Sequence, residues 1–207
     1  MKTPLYFFLL LILSGCAEGN PKIASSSNPG GPCEGCEAIH ESPVPFGNLS
    51  WTDTLPDFKE GSPGMRVYGR VYKPDEKTPA PGVVIYIYHT DQQGLYSRGD
   101  ETKWGRRHGY LRGWVKSNQQ GAYEFFTTRP APYPDAQEPA HIHMTLKEPG
   151  KNEYYIDDII FADTSPEAFQ KKQNNRGGSG VVNVRKENGL ELAERNIYLG
   201  KNIPGYN

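Results

Sequence analysis

Val83-Val-Ile-Tyr-Ile-Tyr88 is an unbroken run of β-branched and aromatic residues, a composition typical of a β-strand. The preceding run, Arg66-Val-Tyr-Gly-Arg-Val-Tyr72, alternates polar and apolar side chains and ends just before Pro74. Because only the loop 73–81, rich in Pro, Lys and Glu, separates the two runs, we predict that they form a β-hairpin.

Further strand-like segments follow along the chain. They are Ala122–Thr127 after the turn signal Gln119-Gln-Gly121, His141–Leu146, Tyr154–Phe161, Val181–Val184 and Leu190–Leu199. Only Ser165–Lys172 has helical character, with Ser165 as its cap and Pro166 at the first helical position. Seven or so short strands with one short helix predict an all-β protein, a β-sandwich with long loops.

The composition limits the class of protein. The chain has 207 residues, 36% of them hydrophobic, which is enough for one domain with a real core. Gly (23 residues), Pro (18) and Tyr (13) are frequent, as in a loop-rich β protein. A formal net charge of -1 gives no electrostatic basis for binding nucleic acid or an anionic membrane surface.

Residues 1–15 are predicted to be a signal peptide. Lys2 precedes the apolar run Leu5–Leu13, which is too short to span a bilayer and has the length of a signal-peptide core. Leu13-Ser-Gly-Cys16 then resembles the lipobox of bacterial lipoproteins, in which Cys16 is acylated. With Ala17 following, the pattern predicts a protein of the bacterial cell envelope, anchored by lipid at the outer membrane. An ordinary secretory signal that contains a cysteine is the alternative.

Residues 16–60 are predicted to be a lipid-anchored tether, and residues 61–207 the folded domain. From Glu18 to Pro32 the chain is rich in Ser, Asn, Gly and Pro, as flexible linkers are. Cys33-Glu-Gly-Cys36 follows. Outside the cytoplasm, a disulfide between these two cysteines is the expected state. A redox pair, or a metal site that includes His40, is the alternative.

Two histidines carry the main chemical signal. His141 and His143 are two residues apart on a predicted strand, so both imidazoles point to one face and can bind one metal ion. Two tyrosines added to two histidines would favour ferric iron over zinc, because a hard trivalent ion prefers anionic oxygen donors. His89 and His108 are interpreted as structural or rim residues. The aromatic pairs Tyr86/Tyr88 and Phe125/Phe126 are interpreted as core rather than as a stack for a substrate.

A series of motifs occurs in order between about residues 65 and 165. They are Gly69-Arg-Val-Tyr72, Pro81–Asp91, Gly94-Leu-Tyr96, Arg112-Gly113, Gly121–Pro130, Tyr133-Pro134 and Pro139-Ala-His-Ile-His143. The series resembles the catalytic domain of the intradiol ring-cleavage dioxygenases. This resemblance implies a transthyretin-like β-sandwich with non-haem Fe(III). Carried over by motif, the implied iron ligands are Tyr96, Tyr133, His141 and His143.

The resemblance also implies an activity. The enzyme would use O₂ to cleave a catechol-type ring between its two hydroxyl-bearing carbons, and the product would be a muconate-type diacid. The ligand that leaves the iron when the catechol binds would be Tyr133. One position departs from the family pattern, because Glu138 stands where an arginine usually stabilises the electron-rich substrate. Arg107, Arg112 or Arg129 could supply that charge from other loops.

Two other functions stay open on the sequence. One is a non-catalytic, transthyretin-like module of a surface lipoprotein that binds metal or a catechol. The other is a zinc or Fe(II) site formed by His141, His143 and Glu138. The substrate-selecting loops and the oligomeric state have no readable signal in the sequence.

Overall fold

The computed structural model describes residues 29–59, 64–97, 99, 101–135 and 137–207. The predicted signal peptide and its lipid-attachment residue Cys16 lie outside these ranges. Within them, no helix has the length and apolar character needed to cross a membrane.

The strands of the described residues form two sheets. In chain order they are β1 (Thr52–Thr54), β2 (Gly64–Tyr72), β3 (Val84–Tyr88), β4 (Arg112–Lys116), β5 (Ala122–Thr127), β6 (His141–Lys147), β7 (Tyr154–Phe161), β8 (Val181–Val182), β9 (Val184–Glu187), β10 (Leu190–Glu194) and β11 (Ile197–Tyr198). One sheet has the order β1-β5-β2-β10-β9, with β11 also paired to β2, and the other has the order β4-β3-β6-β7-β8.

The main core lies between these two sheets. Val67 and Phe125 from the first sheet and Ile85 and Ile142 from the second are all 0% exposed and belong to one hydrophobic cluster. Burial of the facing side chains supplies the main driving force for bringing the sheets together. The predicted all-β sandwich is therefore confirmed.

The predicted hairpin between β2 and β3 is wrong, because these strands belong to different sheets. β2 pairs with β5 and β10, whereas β3 pairs with β4 and β6. All residues from Val84 to Ile87 are buried. A strand buried on both faces needs neighbours on both edges and cover on both sides, so β3 occupies an interior position of its sheet. The loop 73–81 carries the chain from one sheet to the other.

The predicted helix is shorter than expected. It covers Glu167–Gln170 (α2), with Pro166 at the cap position rather than inside the helix. The Ser165 hydroxyl does not cap it and is buried without a hydrogen-bond partner. Three short helices were not predicted: α1 (Gly105–His108) and the 3₁₀ helices Cys36–Glu41 and Phe46–Asn48.

The predicted tether extends too far along the chain, because the described part of it packs on the sandwich. Ile39 is 0% exposed on the outer face of the second sheet, and its carbonyl accepts a hydrogen bond from Trp114 Nε1 at 3.0 Å. Strand β1 pairs in parallel with β5. The few apolar residues of this Pro-rich segment cover a face of β3 and β4 that would otherwise be exposed to water, so the domain begins well before residue 61.

Hydrogen bonds join segments that are far apart in the chain. The Gly30 N–H donates to the Pro204 carbonyl at 2.7 Å, and the Arg176 side chain donates to the Gly30 carbonyl at 3.2 Å. In the same region, the guanidinium of the fully buried Arg195 donates to the carbonyls of Arg176 and Gly178. Backbone carbonyls thus accept hydrogen bonds from the terminal guanidinium nitrogens of both buried cations, whereas their Nε atoms are buried without a hydrogen-bond partner among the described residues.

Candidate metal centre

Strand β6 presents two imidazoles on one face of the second sheet. His141 and His143 flank Ile142, which points into the core and is 0% exposed. The side-chain period of two therefore brings the two imidazoles together, and their Nε2 atoms are 3.1 Å apart. The register between β6 and β7 shifts between Ile142 and Met144, so the strand is irregular at His143.

Two loops bring tyrosines to these imidazoles. Tyr96 follows a turn in which the Asp91 carboxylate accepts two backbone N–H bonds at 2.9 and 3.0 Å. Tyr133 lies in the loop between β5 and β6. The loops touch at Gly94, where φ is 77° and a Cβ would lie 2.0 Å from the Pro132 carbonyl oxygen. Glycine at this position therefore permits the close approach that places the two phenols together.

Four side-chain atoms form a closed ring at this point. Tyr96 Oη is 2.7 Å from Tyr133 Oη and 2.8 Å from His143 Nε2. Tyr133 Oη is 3.2 Å from His141 Nε2, and the contact between the two Nε2 atoms completes the ring. The structure thus brings together all four residues that the sequence singled out.

The contacts of the Nδ1 atoms show that each histidine directs its Nε2 atom into the centre. His141 Nδ1 lies 2.8 Å from the Pro139 carbonyl oxygen, which can only accept, so Nδ1 carries the proton. His143 Nδ1 lies 3.1 Å from the Asp158 carboxylate and donates to it. In the neutral imidazoles, both Nε2 atoms therefore present lone pairs to each other across 3.1 Å.

The donor set fits a metal ion better than it fits hydrogen bonding alone. Two phenol protons can satisfy only two of the four contacts in the ring, so the two Nε2 atoms always face each other without a proton and one further contact also lacks one. Ligands at right angles on a first-row metal, with bonds of about 2.0–2.2 Å, would be separated by roughly 3 Å. The observed separations of 2.7–3.2 Å match that spacing, so one cation could satisfy all four atoms.

Burial tunes the protonation of these groups. It raises the pKa of the Tyr96 hydroxyl far above the usual value, and the hydrogen bond with Tyr133 acts in the same direction. Burial also raises the pKa of Tyr133 and lowers the pKa of His141. Without a cation, both phenols therefore keep their protons at neutral pH and His141 is uncharged, so binding of a metal ion would release protons.

Asp158 on β7 is a site residue that the sequence analysis missed. Its carboxylate groups with His141 and His143 within 4.8 Å, whereas Glu138 is not part of any such cluster among the described residues. The proposed zinc or Fe(II) site with Glu138 as a ligand is therefore wrong in its third residue. Asp158 contacts Nδ1 of His143 rather than the centre itself, so it orients the imidazole and increases its basicity.

Tyr88 also belongs to the site, although the sequence analysis interpreted it as core. Its ring stacks on His143 with centroids 4.4 Å apart, and on His108 with centroids 3.7 Å apart. Tyr86 is buried as expected, and its hydroxyl contacts His108 Nδ1 at 2.9 Å. His108 is thus structural, and the stack holds the outer face of His143. His89, which is 1% exposed, bonds within the core and is also structural.

The three candidate arginines are already engaged by carboxylates. Arg112 lies 2.8 Å from Glu41, and Arg107 lies 2.8 Å from Glu34. Arg129 lies at the edge of the site, where Asp163 and Glu191 bind it at 2.6 and 3.2 Å. Each of these arginines is therefore paired with carboxylates other than that of Glu138.

Two cavities lie in this region, and the second of them is lined by His143 of the donor ring. One, of about 380 Å³, is bordered by Arg129, Pro132, Glu138, Pro139 and Phe169. The other, of about 240 Å³, lies between the loop 32–36 and the pair His143 and Asp158. Cys33 and Cys36 in that loop are joined by a disulfide, which places the bond beside the site rather than in a free tether.

Comparison with known proteins places this architecture in a family. The family model described as Dioxygenase matches residues 50–165, more than half of the chain. A catechol 1,2-dioxygenase of Acinetobacter lwoffii is 37% identical over 86 residues, which cover 41% of this chain and 26% of that protein. The chain belongs to the intradiol ring-cleavage dioxygenase family.

Solved structures support the same fold. The dioxygenase domain of a dioxygenase carbohydrate-binding fusion from Streptomyces sp. SirexAA-E has a TM-score of 0.56 at 19% identity, over 70% of this chain and 85% of that chain. Catechol 1,2-dioxygenase from Acinetobacter sp. ADP1 has a TM-score of 0.54 at 18% identity, over 72% of this chain and 56% of that one. The chain thus spans about half of the solved Acinetobacter sp. ADP1 catechol 1,2-dioxygenase and about a quarter of the Acinetobacter lwoffii one.

Proposed function

We propose that this protein is a non-haem Fe(III) dioxygenase that cleaves a catechol-type ring between its two hydroxyl-bearing carbons. The observation that carries the proposal is the closed ring of two phenol oxygens and two imidazole nitrogens, each 2.7–3.2 Å from its neighbours. Oxygen-rich ligation by two phenolates suits a hard trivalent ion better than Zn²⁺. Family membership supports the reaction class.

The four side chains would serve different roles. His141 and His143 are oriented through Nδ1 by the Pro139 carbonyl and by Asp158, so they are fixed ligands. Tyr96 is held between His143 and Tyr133 and would stay in place. Bound Fe(III) would supply the Lewis acidity that activates the ring towards O₂.

Tyr133 is the residue suited to move. It lies in a loop, it is only half-buried, and its neighbours Pro132 and Pro134 stiffen the backbone while the side chain can rotate. The raised pKa of its hydroxyl makes the phenolate a strong proton acceptor. Tyr133 would accept one of the two catechol protons as the substrate binds. The C–C bond between the two hydroxyl-bearing carbons would break and each of these carbons would gain one atom of O₂, which gives the muconate-type diacid.

Iron loading and oxygen uptake test this proposal together. Protein loaded with one ferric ion should absorb visible light through phenolate-to-iron charge transfer, and addition of catechol should shift the absorption and consume one O₂ per ring. Tyr96→Phe and Tyr133→Phe should each weaken the visible band, whereas Tyr155→Phe, in an exposed side chain on β7, should not. A fully iron-loaded protein without such a band would refute the proposed ligand set.

Glu138 supports a second candidate, a module that captures a catechol without turning it over. A carboxylate near Tyr133 has the wrong sign to stabilise an electron-rich substrate, and the three arginines are paired elsewhere. The same titration distinguishes the two functions. Catechol that changes the spectrum without O₂ uptake would identify the binding module.

The cellular location forms part of the proposal. The lipobox-like sequence ending at Cys16 and the disulfide between Cys33 and Cys36 both support an exported, lipid-anchored protein, placed at the bacterial outer membrane. Mass spectrometry of the mature protein should find a diacylated or triacylated Cys16 at its N-terminus. An unmodified Cys16 would exclude the anchor.

A further inference from the structure

We propose that the loop closed by the Cys33–Cys36 disulfide positions His143, and that reduction of this disulfide loosens the site and speeds the release of its metal ion. The inference rests on the proposed ferric site and adds a redox control to it.

The disulfide loop forms one wall of the cavity beside His143. This cavity, of about 240 Å³, is lined by residues 32–36 and by the pair His143 and Asp158. The side chains of that pair are 24% and 36% exposed, and they are in contact at 3.1 Å. A displacement of the loop would therefore change the surroundings of a proposed ligand and of the carboxylate that orients it.

A stack of rings connects the loop to His143. Gly35 has a φ of 91°, and a Cβ at this position would lie 3.2 Å from His108 Nε2. His108 stacks on Tyr88 with centroids 3.7 Å apart, and Tyr88 stacks on His143 with centroids 4.4 Å apart. The loop backbone thus supports one end of a packed stack whose other end is a proposed ligand. Close packing lets a movement at one end reach the other.

The disulfide closes this loop between two anchored ends. Upstream, the Gly30 N–H donates to the Pro204 carbonyl at 2.7 Å. Downstream, Cys36 is 3% exposed at the start of the 3₁₀ helix that carries the buried Ile39. Breaking the bond would free the middle of the loop and leave both ends attached. By chain entropy, a cross-link over so short a loop makes its opening at most about 20-fold less frequent.

A dithiol reductant can open this bond by thiol–disulfide exchange. Its thiolate attacks Sγ of Cys33, the more exposed of the two cysteines, and Cys36 leaves as a thiolate that takes up a proton. The second thiol of the reductant then attacks the reductant's own sulfur in the mixed disulfide, which releases Cys33 as a thiol. Two electrons and two protons have passed to the protein, and the reductant has become a cyclic disulfide.

Hydrogen exchange of the metal-free protein tests the contact between loop and rings without iron. The protein is reduced with dithiothreitol, and mass spectrometry confirms that the disulfide is broken. Backbone amides of α1 (Gly105–His108), which carries His108, should then exchange about 5- to 20-fold faster. Amides of β10 (Leu190–Glu194), in the other sheet, should not change. Unchanged exchange of α1 in the fully reduced protein would overturn the inference.

Release of iron from variants without free thiols in the loop tests the consequence for the site, since thiols would themselves reduce Fe(III). Fe(III) is transferred to an excess of a chelator, and loss of the visible band gives the rate. The Cys33→Ala/Cys36→Ala protein should release iron about 5- to 20-fold faster than the unmodified protein, because release follows the population of the opened loop.

A pair of glycine variants keeps the disulfide intact. Gly35→Ala should also speed release, because its Cβ would press against His108. The matched control Gly31→Ala, with a φ of 73° and open space around its Cβ, should release iron at a rate within about twofold of the unmodified protein. Far-UV circular dichroism verifies the fold of each variant, and Gly35→Ala tests the same contact if the double variant does not fold.

Unchanged iron release from the folded double variant, or from Gly35→Ala, would overturn the redox control and leave the proposed function intact. Equal acceleration by Gly31→Ala and Gly35→Ala would also overturn it, because general loosening of the segment would then explain both. If the unmodified protein binds no ferric ion with a visible band, the proposed function itself fails, and the redox control fails with it.

Discussion

Asp158→Asn tests whether a residue that contacts a proposed ligand, His143, but not the metal itself controls the metal affinity of the protein. The carboxylate lies 3.1 Å from His143 Nδ1, and the two side chains are 36% and 24% exposed, so the pair is only partly screened by water. Asparagine keeps the size and an acceptor oxygen but removes the charge. Loss of such an outer partner typically costs about 10–100-fold in metal affinity, or about 1.4–2.7 kcal/mol. Because both side chains are partly exposed, we expect a loss of metal affinity at the lower end of this range, about tenfold.

Competition of the metal-free protein with a ferric chelator measures this loss directly. Asp158→Ala also removes the acceptor and leaves Nδ1 free to rotate away, so it should weaken iron binding further, towards about a hundredfold. Glu187→Gln serves as the control for loss of a distant carboxylate. Iron affinity of Asp158→Asn within twofold of the unmodified protein would refute the idea that this carboxylate orients and tunes His143.

Three further predictions concern the fold. Gly94→Ala should destabilise the protein by at least about 2 kcal/mol, because its Cβ would overlap a backbone carbonyl, whereas Gly150→Ala, with a similar φ and open space, should cost about 1 kcal/mol in urea unfolding. Ile39→Ala should lower the free energy of unfolding by about 2–4 kcal/mol, because Ile39 is buried. Val44 is 41% exposed, so Val44→Ala should lower it by less than about 0.5 kcal/mol. Equal effects of the two substitutions would contradict a packed N-terminal segment. Burial, with the charge of His143 adding to it, lowers the pKa of His108 to about 3. Since the unfolded pKa is about 6.5, stability of the metal-free protein should fall as pH drops from about 6.5 towards 3, by at most about 1.4 kcal/mol per pH unit for this residue, and the slope should be shallower in His108→Gln.

Local sequence patterns predicted the parts of the fold that depend on local chemistry. Strand β7 is found at the predicted Tyr154–Phe161, because a run of apolar residues with turn signals on both sides specifies a strand without reference to its partners. The choice of partner is a different problem. The pattern of β2 and β3 could not show that they join different sheets, since that depends on which strand edges are covered in the complete fold.

At the site too, the sequence predicted what depends on local pattern and not what depends on strand pairing. The spacing of two residues predicted that His141 and His143 share one face of a strand, and the order of the motifs indicated Tyr96 and Tyr133. Asp158 escaped detection because its contact depends on the register between β6 and β7, which includes an irregularity at His143. The pair Asp157-Asp158, in an otherwise apolar strand, was the available signal. Aspartate side chains are rarely buried without a partner, so this pair indicated that a partner for at least one of them should be sought.

The hydrogen bond between Gly30 and the Pro204 carbonyl also bears on how the chain folds. Strands β2 and β10 pair in parallel across a similarly long stretch of sequence, so much of the sandwich depends on contacts of high sequence separation. Such topologies fold slowly, because the entropy of closing long loops must be lost before the contacts form. During synthesis, the Gly30 segment can form this hydrogen bond only after the chain has been made as far as Pro204, so this part of the fold is completed late.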